Sequence, residues 1–446
     1  MEGKTVTKKS TDFVFIGLAL FAMFFGAGNL IFPPALGALS GAEWFIAFLA
    51  YFVADAGLAV LGVFAILKCK DTEGLTNVIG KIPGIILIAA VVICIGPGIA
   101  IPRTSIVSFG IGAKPVGEML GFDFSGAVPL AVYSVVFFAV TLALTIRPSK
   151  VVDIVGKILT PALVVILLVL IAVGVASPQG SIGANVLPTG AFSYGILQGY
   201  QTLDVLASIL FAGIIIASVF DKGYVGKQAD RETGKSAVVA MVLLFIVYGG
   251  LAYLGASTGV NWLAGILDGS VGNDALVVNI VSSLLGNVGV ILVAIAVILA
   301  CLTTSIALVS SFANFFDKVT KGKLNYTKGV ILCCLISVLL ANVGLSKILE
   351  VSVPVLLIVC PVVVYLIVMG FLRNAIKNVN AYRLGTLVTL VVSIITVLCD
   401  VFAVTSLAWI HKIPLDQFGF NWLIPAIVAT VVGMVIPGKQ VDPIEE

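Results

Sequence analysis

The residues best suited to chemistry lie where an otherwise hydrophobic sequence becomes irregular. Phe24-Phe25-Gly26-Ala27-Gly28-Asn29-Leu30-Ile31-Phe32-Pro33-Pro34 places two glycines, an asparagine and two prolines within nine residues of an apolar run. Glycine relaxes the backbone and proline removes a donor. A proline kink in a packed helix accounts for the prolines alone. An unwound segment at mid-membrane accounts for the whole pattern. N–H groups freed at the start of its second half-helix can meet a carboxylate, and carbonyls freed at the end of its first half can meet a cation. A milder irregularity, Gln198-Gly199-Tyr200-Gln201-Thr202-Leu203-Asp204-Val205-Leu206-Ala207-Ser208, crowds polar residues into the outer half of another apolar run.

Ionisable residues inside apolar runs are costly and usually functional. Asp204 stands beside the second irregular stretch and is a site candidate, with a structural hydrogen bond as its alternative. Asp55 and Asp400 read as packing or gating partners, and Lys157 as a residue that snorkels to the inner surface.

The elements that must position these residues follow from composition. The chain has 446 residues, 60% hydrophobic and only 11% charged, whereas a soluble domain carries roughly 25% charged residues. A soluble enzyme, a nucleic-acid binder and a disordered scaffold are excluded as leading readings, and lipid is the expected surroundings. Twelve apolar runs are long enough to be membrane helices: 13–38, 44–67, 84–109, 127–146, 151–176, 198–220, 236–258, 288–312, 329–346, 352–372, 384–410 and 421–437. With a cytoplasmic N-terminus, 21 of the 25 lysines and arginines fall inside; only Arg103, Lys114, Lys347 and Lys412 fall outside. That split obeys the positive-inside rule and an even number of crossings, and puts both termini in the cytoplasm. The first run, preceded by Lys4, Lys8 and Lys9, reads as a retained helix because no small-residue cleavage site follows it. Residues 274–286 read as a short helix capping an outer vestibule, and 177–197 as an uncharged linker. Seven cysteines without a C-x-x-C read as small buried hydrophobes, and a single histidine, His411, excludes a histidine-based metal site.

Irregular runs in positions one and six divide the chain into two units of five, 12–176 and 198–372, followed by two further helices over 384–437, all within one transmembrane domain spanning 1–446. Five is odd, so the second unit is inverted. Thr104-Ser105-Ile106 with Ser108-Phe109 in run three, and Thr304-Ser305-Ile306 with Ser311-Phe312 in run eight, echo one another at equivalent positions.

The segment 24–34 resembles the bacterial branched-chain amino acid transporters of the BrnQ or LIVCS family. So do Gly96-Pro97-Gly98-Ile99-Ala100-Ile101-Pro102-Arg103, Gly199-Tyr200-Gln201-Thr202-Leu203-Asp204 and Cys301-Leu302-Thr303-Thr304-Ser305-Ile306. The likeness runs essentially end to end. It implies an all-α integral membrane protein of the amino acid–polyamine–organocation superfamily, with a LeuT-like 5+5 inverted repeat and broken helices one and six. It implies a symporter importing leucine, isoleucine and valine through the bacterial cytoplasmic membrane. Gly26, Ala27, Gly28 and Asn29 would receive substrate, its carboxylate at Ala27 and Gly28, with Tyr200, Gln201, Thr202 and Asp204 opposite and the ammonium near sixth-run carbonyls. Ala22, Phe25, Ala300, Thr303 and Thr304 would hold a co-transported Na+; oxygen ligands suit a hard cation. Some proton-coupled relatives place a fifth-helix lysine where sodium would sit, which makes Lys157 the coupling candidate for the alternative driven by H+. No cofactor and no nucleic-acid partner are expected. A channel would need a ring of charges or a filter, and an integral membrane enzyme a catalytic motif such as H-E-x-x-H; the sequence has neither. No P-loop is present to drive transport with ATP.

The charge split generates a topology test in a chain freed of native cysteines. Lys227→Cys and Lys323→Cys are expected to resist an impermeant thiol reagent in intact cells, while Ser181→Cys and Gly269→Cys react. Labelling of Lys227→Cys from outside would reverse the assignment.

Overall fold

The computed structural model describes residues 8–124, 126–146 and 160–441. These residues are overwhelmingly helical, and extended pairing among them is limited to an isolated bridge between Asn378 and Gln440. Eight helices are long and apolar enough to cross a membrane, with four shorter apolar ones, Asp12–Phe24, Thr160–Ala176, Tyr326–Ala341 and Leu423–Val435. In hydrocarbon a helix satisfies its own backbone, so the apolar runs have little choice of secondary structure.

Where the chain departs from continuous helix, the cause is local. The first run divides into α1 (Asp12–Phe24) and α2 (Ala27–Ser40), and Gly41, at φ 50°, turns α2 toward the second run. The helix assigned to Asn273–Val319 is interrupted at Gly286, with φ 58° and ψ −155°. Residues before that break form a separate helix.

Three sequence boundaries are corrected. The sixth run starts at Ala191 rather than at 198, because Gly190, at φ 80°, marks the true start and the uncharged residues that follow belong to the helix. The tenth starts at Leu345 rather than at 352, immediately after Gly344 at φ 96°. The eleventh stops at Asp400 instead of 410. Asp400 is a helix-end residue whose Oδ1 lies 3.1 Å from His411 Nε2, and Thr405–Lys412 forms a 3-10 segment. Lys157 lies outside the described residues.

Helices around the first run approach to backbone contact. A β-carbon added at Gly37 in α2 would stand 1.8 Å from the Ala252 carbonyl oxygen, and one at Gly255 would stand 2.0 Å from that of Pro34. Both contacts join α2 to the Lys227–Ser257 helix. Without a hydrophobic force between helices in lipid, this close packing supplies the attraction. Gly255→Val is therefore expected to lower stability by about 3 kcal/mol. Gly213→Ala, whose added carbon meets nothing within 4 Å, should change it by less than about 0.5 kcal/mol. Thermal unfolding of the purified protein measures both, and a Gly255→Val protein that melts like wild type refutes the crossing.

Candidate binding site between two interrupted helices

The first interruption covers two residues. Phe25 (φ −70°, ψ 81°) leaves the helix, and Gly26 (φ −108°, ψ −162°) is extended. Phe25 N–H still donates to Phe21 O at 2.7 Å, and Gly26 N–H to Phe24 O at 2.7 Å. The Asn29 side chain turns back to accept from Gly26 N–H at 3.3 Å. The first-turn N–H groups of α2 have no intrahelical acceptor. The second interruption lies between the Ala191–Tyr200 and Asp204–Asp221 helices. Leu203 there sits at φ 75°, in the left-handed region. For a residue with a branched side chain this costs about 1–2 kcal/mol, and such strain concentrates at functional sites.

The two interruptions meet at one buried polar cluster. Asn29 Nδ2 donates to Asp204 Oδ2 at 2.7 Å and to Asp55 Oδ2 at 3.2 Å, and it also contacts the Tyr248 hydroxyl. The Thr202 hydroxyl lies 2.6 Å from Asp55 Oδ1 and 2.7 Å from the Gly199 carbonyl oxygen. Asp55 is wholly buried and Asp204 is 6% exposed. Asp55 reaches the cluster from a wide turn of helix, Val53–Gly57. Rings wall one side: Phe21 stacks on Phe25 at 5.3 Å, and Tyr248 lies 6.2 Å from Phe25 and 5.6 Å from Tyr51.

Arg103 corrects the sequence reading. It was expected outside, yet it is 3% exposed within the Ala100–Val107 helix. Its Nη1 donates to the Gln201 carbonyl at 2.7 Å and its Nη2 to that of Thr202 at 3.0 Å. The guanidinium lies 5.7 Å over the Phe32 ring. A β-carbon on Gly28 would stand 2.8 Å from Nη2, so the glycine leaves room for the guanidinium. The physical reason for the burial is the second interruption itself, whose freed carbonyls solvate a charge that lipid would reject. These are sixth-run carbonyls of the kind expected to face an ammonium.

Of the expected cation ligands, Thr304 and Ala22 meet at the end of α1. Thr304 Oγ1 lies 3.3 Å from the Ala22 carbonyl oxygen and 3.4 Å from that of Met23. Thr303 Oγ1 donates to Ala300 O at 2.8 Å. The two hydroxyl-bearing residues face different spaces. Gly26, Ala27, Asn29, Arg103, Asp204 and Thr304 border a cavity of 20 Å³, room for about one water. Thr303 borders a second cavity of 780 Å³, which extends to Glu73, Lys81, Asp221 and Lys318. Met23 borders both. Tyr200 is buried, packs its ring 6.2 Å from Phe420 and borders neither cavity.

Sequence reasoning left Asp55, Arg103 and Tyr248 out of the site. The signal for Asp55 was its charge in an apolar run; for Arg103 it was the glycine- and proline-rich stretch before it. Nothing distinguished Tyr248 from the other tyrosines.

The shared amide generates a stability test. Asn29→Ala strips a donor from two buried carboxylates and is expected to cost about 2–4 kcal/mol. Adding Asp204→Asn should recover part of that loss. Thermal unfolding of the four proteins closes the cycle, and strictly additive effects would dissolve the network.

A sequence profile described as "Branched-chain amino acid transport protein" matches residues 9–440. The branched-chain amino acid permease BraB of Bacillus subtilis (strain 168) is 37% identical, with 97% of this chain and 98% of that protein aligned. The permease BrnQ of Escherichia coli (strain K12) is 30% identical over 97% and 98%. Among solved structures, the nucleobase-cation-symport-1 family transporter Mhp1, closed with bromovinylhydantoin bound, superposes with a TM-score of 0.62 at 14% identity, covering 94% of this chain and 91% of that one. A substrate-bound, outward-open Na+-coupled sialic acid symporter gives 0.61 at 13% identity, covering 96% and 90%. The fold is thus that of these LeuT-like transporters. By profile and by near-full-length identity, the chain belongs to the branched-chain amino acid transport protein family, a family of permeases and not of enzymes.

Proposed function

We propose that this protein imports leucine, isoleucine and valine into the bacterial cell by sodium-coupled symport with alternating access. The observation that carries the reading is the meeting of two interrupted helices at one buried, charged cluster beside a wide cavity. The twelve runs make twelve crossings of the cytoplasmic membrane, with both termini inside and runs one to five repeated, inverted, in six to ten. The wide cavity is bordered by Glu73, Lys81, Asp221 and Lys318, residues of a short helix and of helix ends that the lysine and arginine distribution assigns to the cytoplasmic side. On that orientation the structure is open inward.

In this reading the substrate carboxylate meets the first turn of α2 at Ala27 and Gly28, with Gly26, Asn29, Gln201, Thr202 and Asp204 around it. Tyr200 supports the second interruption from behind. Carbonyls of Ala22, Phe25 and Ala300, with hydroxyls of Thr303 and Thr304, form the sodium cage once the Thr303 hydroxyl, here donated to Ala300 on the side of the wide cavity, turns toward Thr304. Thr304 already lies against the Ala22 carbonyl. An ammonium within such a cage would repel sodium strongly at low effective dielectric, so the cage and a charged Lys157 exclude one another. Proton coupling through Lys157 is the second reading, in which the lysine itself supplies the cation.

Uptake into sealed proteoliposomes separates the two. An imposed sodium gradient should concentrate leucine, and Thr304→Ala should raise the sodium needed for half-maximal uptake roughly tenfold, the equivalent of one lost ligand of about 1.4 kcal/mol. Lys157→Ala should still accumulate leucine. Full wild-type accumulation in sodium-free buffer with only a pH gradient overturns sodium coupling, and uptake that merely equilibrates leucine overturns symport.

A further inference from the structure

Arg103 is a buried cation without an anion. Two backbone carbonyls hold its terminal nitrogens, but among the described residues it forms no ion pair with a carboxylate. Its Nε has no acceptor there although the atom is sealed from solvent. A native protein rarely leaves a buried donor unmet without a reason.

The same cavity holds the converse problem. Asp204 borders it together with Arg103. Asp204 and Asp55 receive neutral donors from Asn29 and Thr202, yet among the described residues neither is paired with a cation. An acidic and a basic side chain therefore line one small space without forming an ion pair. A link holding the sixth-run turn in place accounts for Nη1 and Nη2. It does not account for the idle Nε–H.

We propose that Arg103 binds the carboxylate of the amino-acid substrate, alongside the first-turn N–H groups of α2, while Asp204 faces its ammonium. This rests on the transport reading above and adds the residue that makes the carboxylate obligatory. A zwitterion completes both halves of the site at once. An amine leaves the guanidinium without an anion, and a simple carboxylic acid leaves Asp204 without a cation. The remaining donors of Arg103 can take a carboxylate side-on without releasing the carbonyls. In the state seen here the space is 20 Å³, so substrate entry requires the walls to part while the two charges stay in place.

The test is equilibrium binding to purified protein in lipid nanodiscs. It compares L-leucine with L-leucinamide, which keeps the ammonium and side chain but lacks the carboxylate. Wild type is expected to prefer leucine strongly. Arg103→Gln can still bridge a carbonyl but carries no charge; it should bind leucine roughly 30-fold more weakly, as for loss of a charged hydrogen bond. Leucinamide binding should hold or improve, so that the preference collapses. A preference retained in Arg103→Gln overturns the proposal, and so does equal loss of both ligands, which is the mark of a purely structural role. If Arg103→Gln is not monodisperse, Arg103→Lys replaces it. That variant keeps the charge and is expected to keep a reduced preference for leucine; equal affinity for the two ligands overturns the proposal. A wild-type protein that binds none of leucine, isoleucine and valine refutes the functional reading instead of the role of Arg103.

Discussion

A backbone polar group freed in an apolar interior must find a partner, and the rest of this structure depends on how two interrupted helices meet that demand. The first interruption exposes carbonyls at the end of α1 and N–H groups at the start of α2. The second exposes carbonyls at Gln201 and Thr202. Each set is met by side chains, those on the carbonyls coming from other helices. Thr304 lies against the Ala22 and Met23 carbonyls, Asn29 takes the Gly26 N–H, and Arg103 spans the sixth-run turn. Continuous helices would have needed none of these residues, and the apolar runs around them contain few such groups. Polar chemistry is concentrated where the backbone is broken because elsewhere the helix already satisfies itself.

The same constraint explains how three charged residues coexist far from water. Arg103, Asp55 and Asp204 are each surrounded by dipoles aimed at them: carbonyls for the guanidinium, and an amide and a hydroxyl for the carboxylates. Fixed dipoles reduce the desolvation penalty of such groups. Asn29 is central because its one amide nitrogen serves both carboxylates, so the first, second and sixth runs are fastened through one side chain.

Much of this was legible in the sequence, for reasons that differ by residue. Gly26, Gly28, Asn29, Pro33 and Pro34 announce the first interruption because no packed helix needs them together. Asp204 announces the second less clearly, since Leu203, which takes the left-handed conformation, is an ordinary residue type. Arg103 was misplaced because counting charges by loop assumes that an arginine seeks the nearer aqueous face. Buried carbonyls from a helix 98 residues away in sequence offered an alternative that loop counting does not contain. The start of the sixth run was missed because an uncharged linker and an apolar half-helix differ little in composition. Gly190 carried the boundary. The apolar composition carries the eleventh run past Asp400, which in the structure ends its helix and meets His411.

Packing also joins four of the runs by backbone seams. The first run is locked to the seventh, because α2 and the Lys227–Ser257 helix meet backbone to backbone at Gly37 and Gly255. The sixth run is locked to the second: a β-carbon at Gly195 would stand 2.3 Å from the Ala47 carbonyl oxygen. Asn29, Asp55, Asp204 and Tyr248 belong to these four runs and form one hydrogen-bonded cluster. Arg103 and Thr304 come from outside it, on the third and eighth runs. The hydrogen bonds that these two residues make to the four run from side chain to backbone carbonyl. Long side chains can follow a moving partner, while glycine seams in a close-packed interior cannot slide without collision. The space of 20 Å³ lies where Arg103 and Thr304 reach across to the cluster. Arg103 thus reaches the sixth-run carbonyls from a helix outside the four, through a side chain alone.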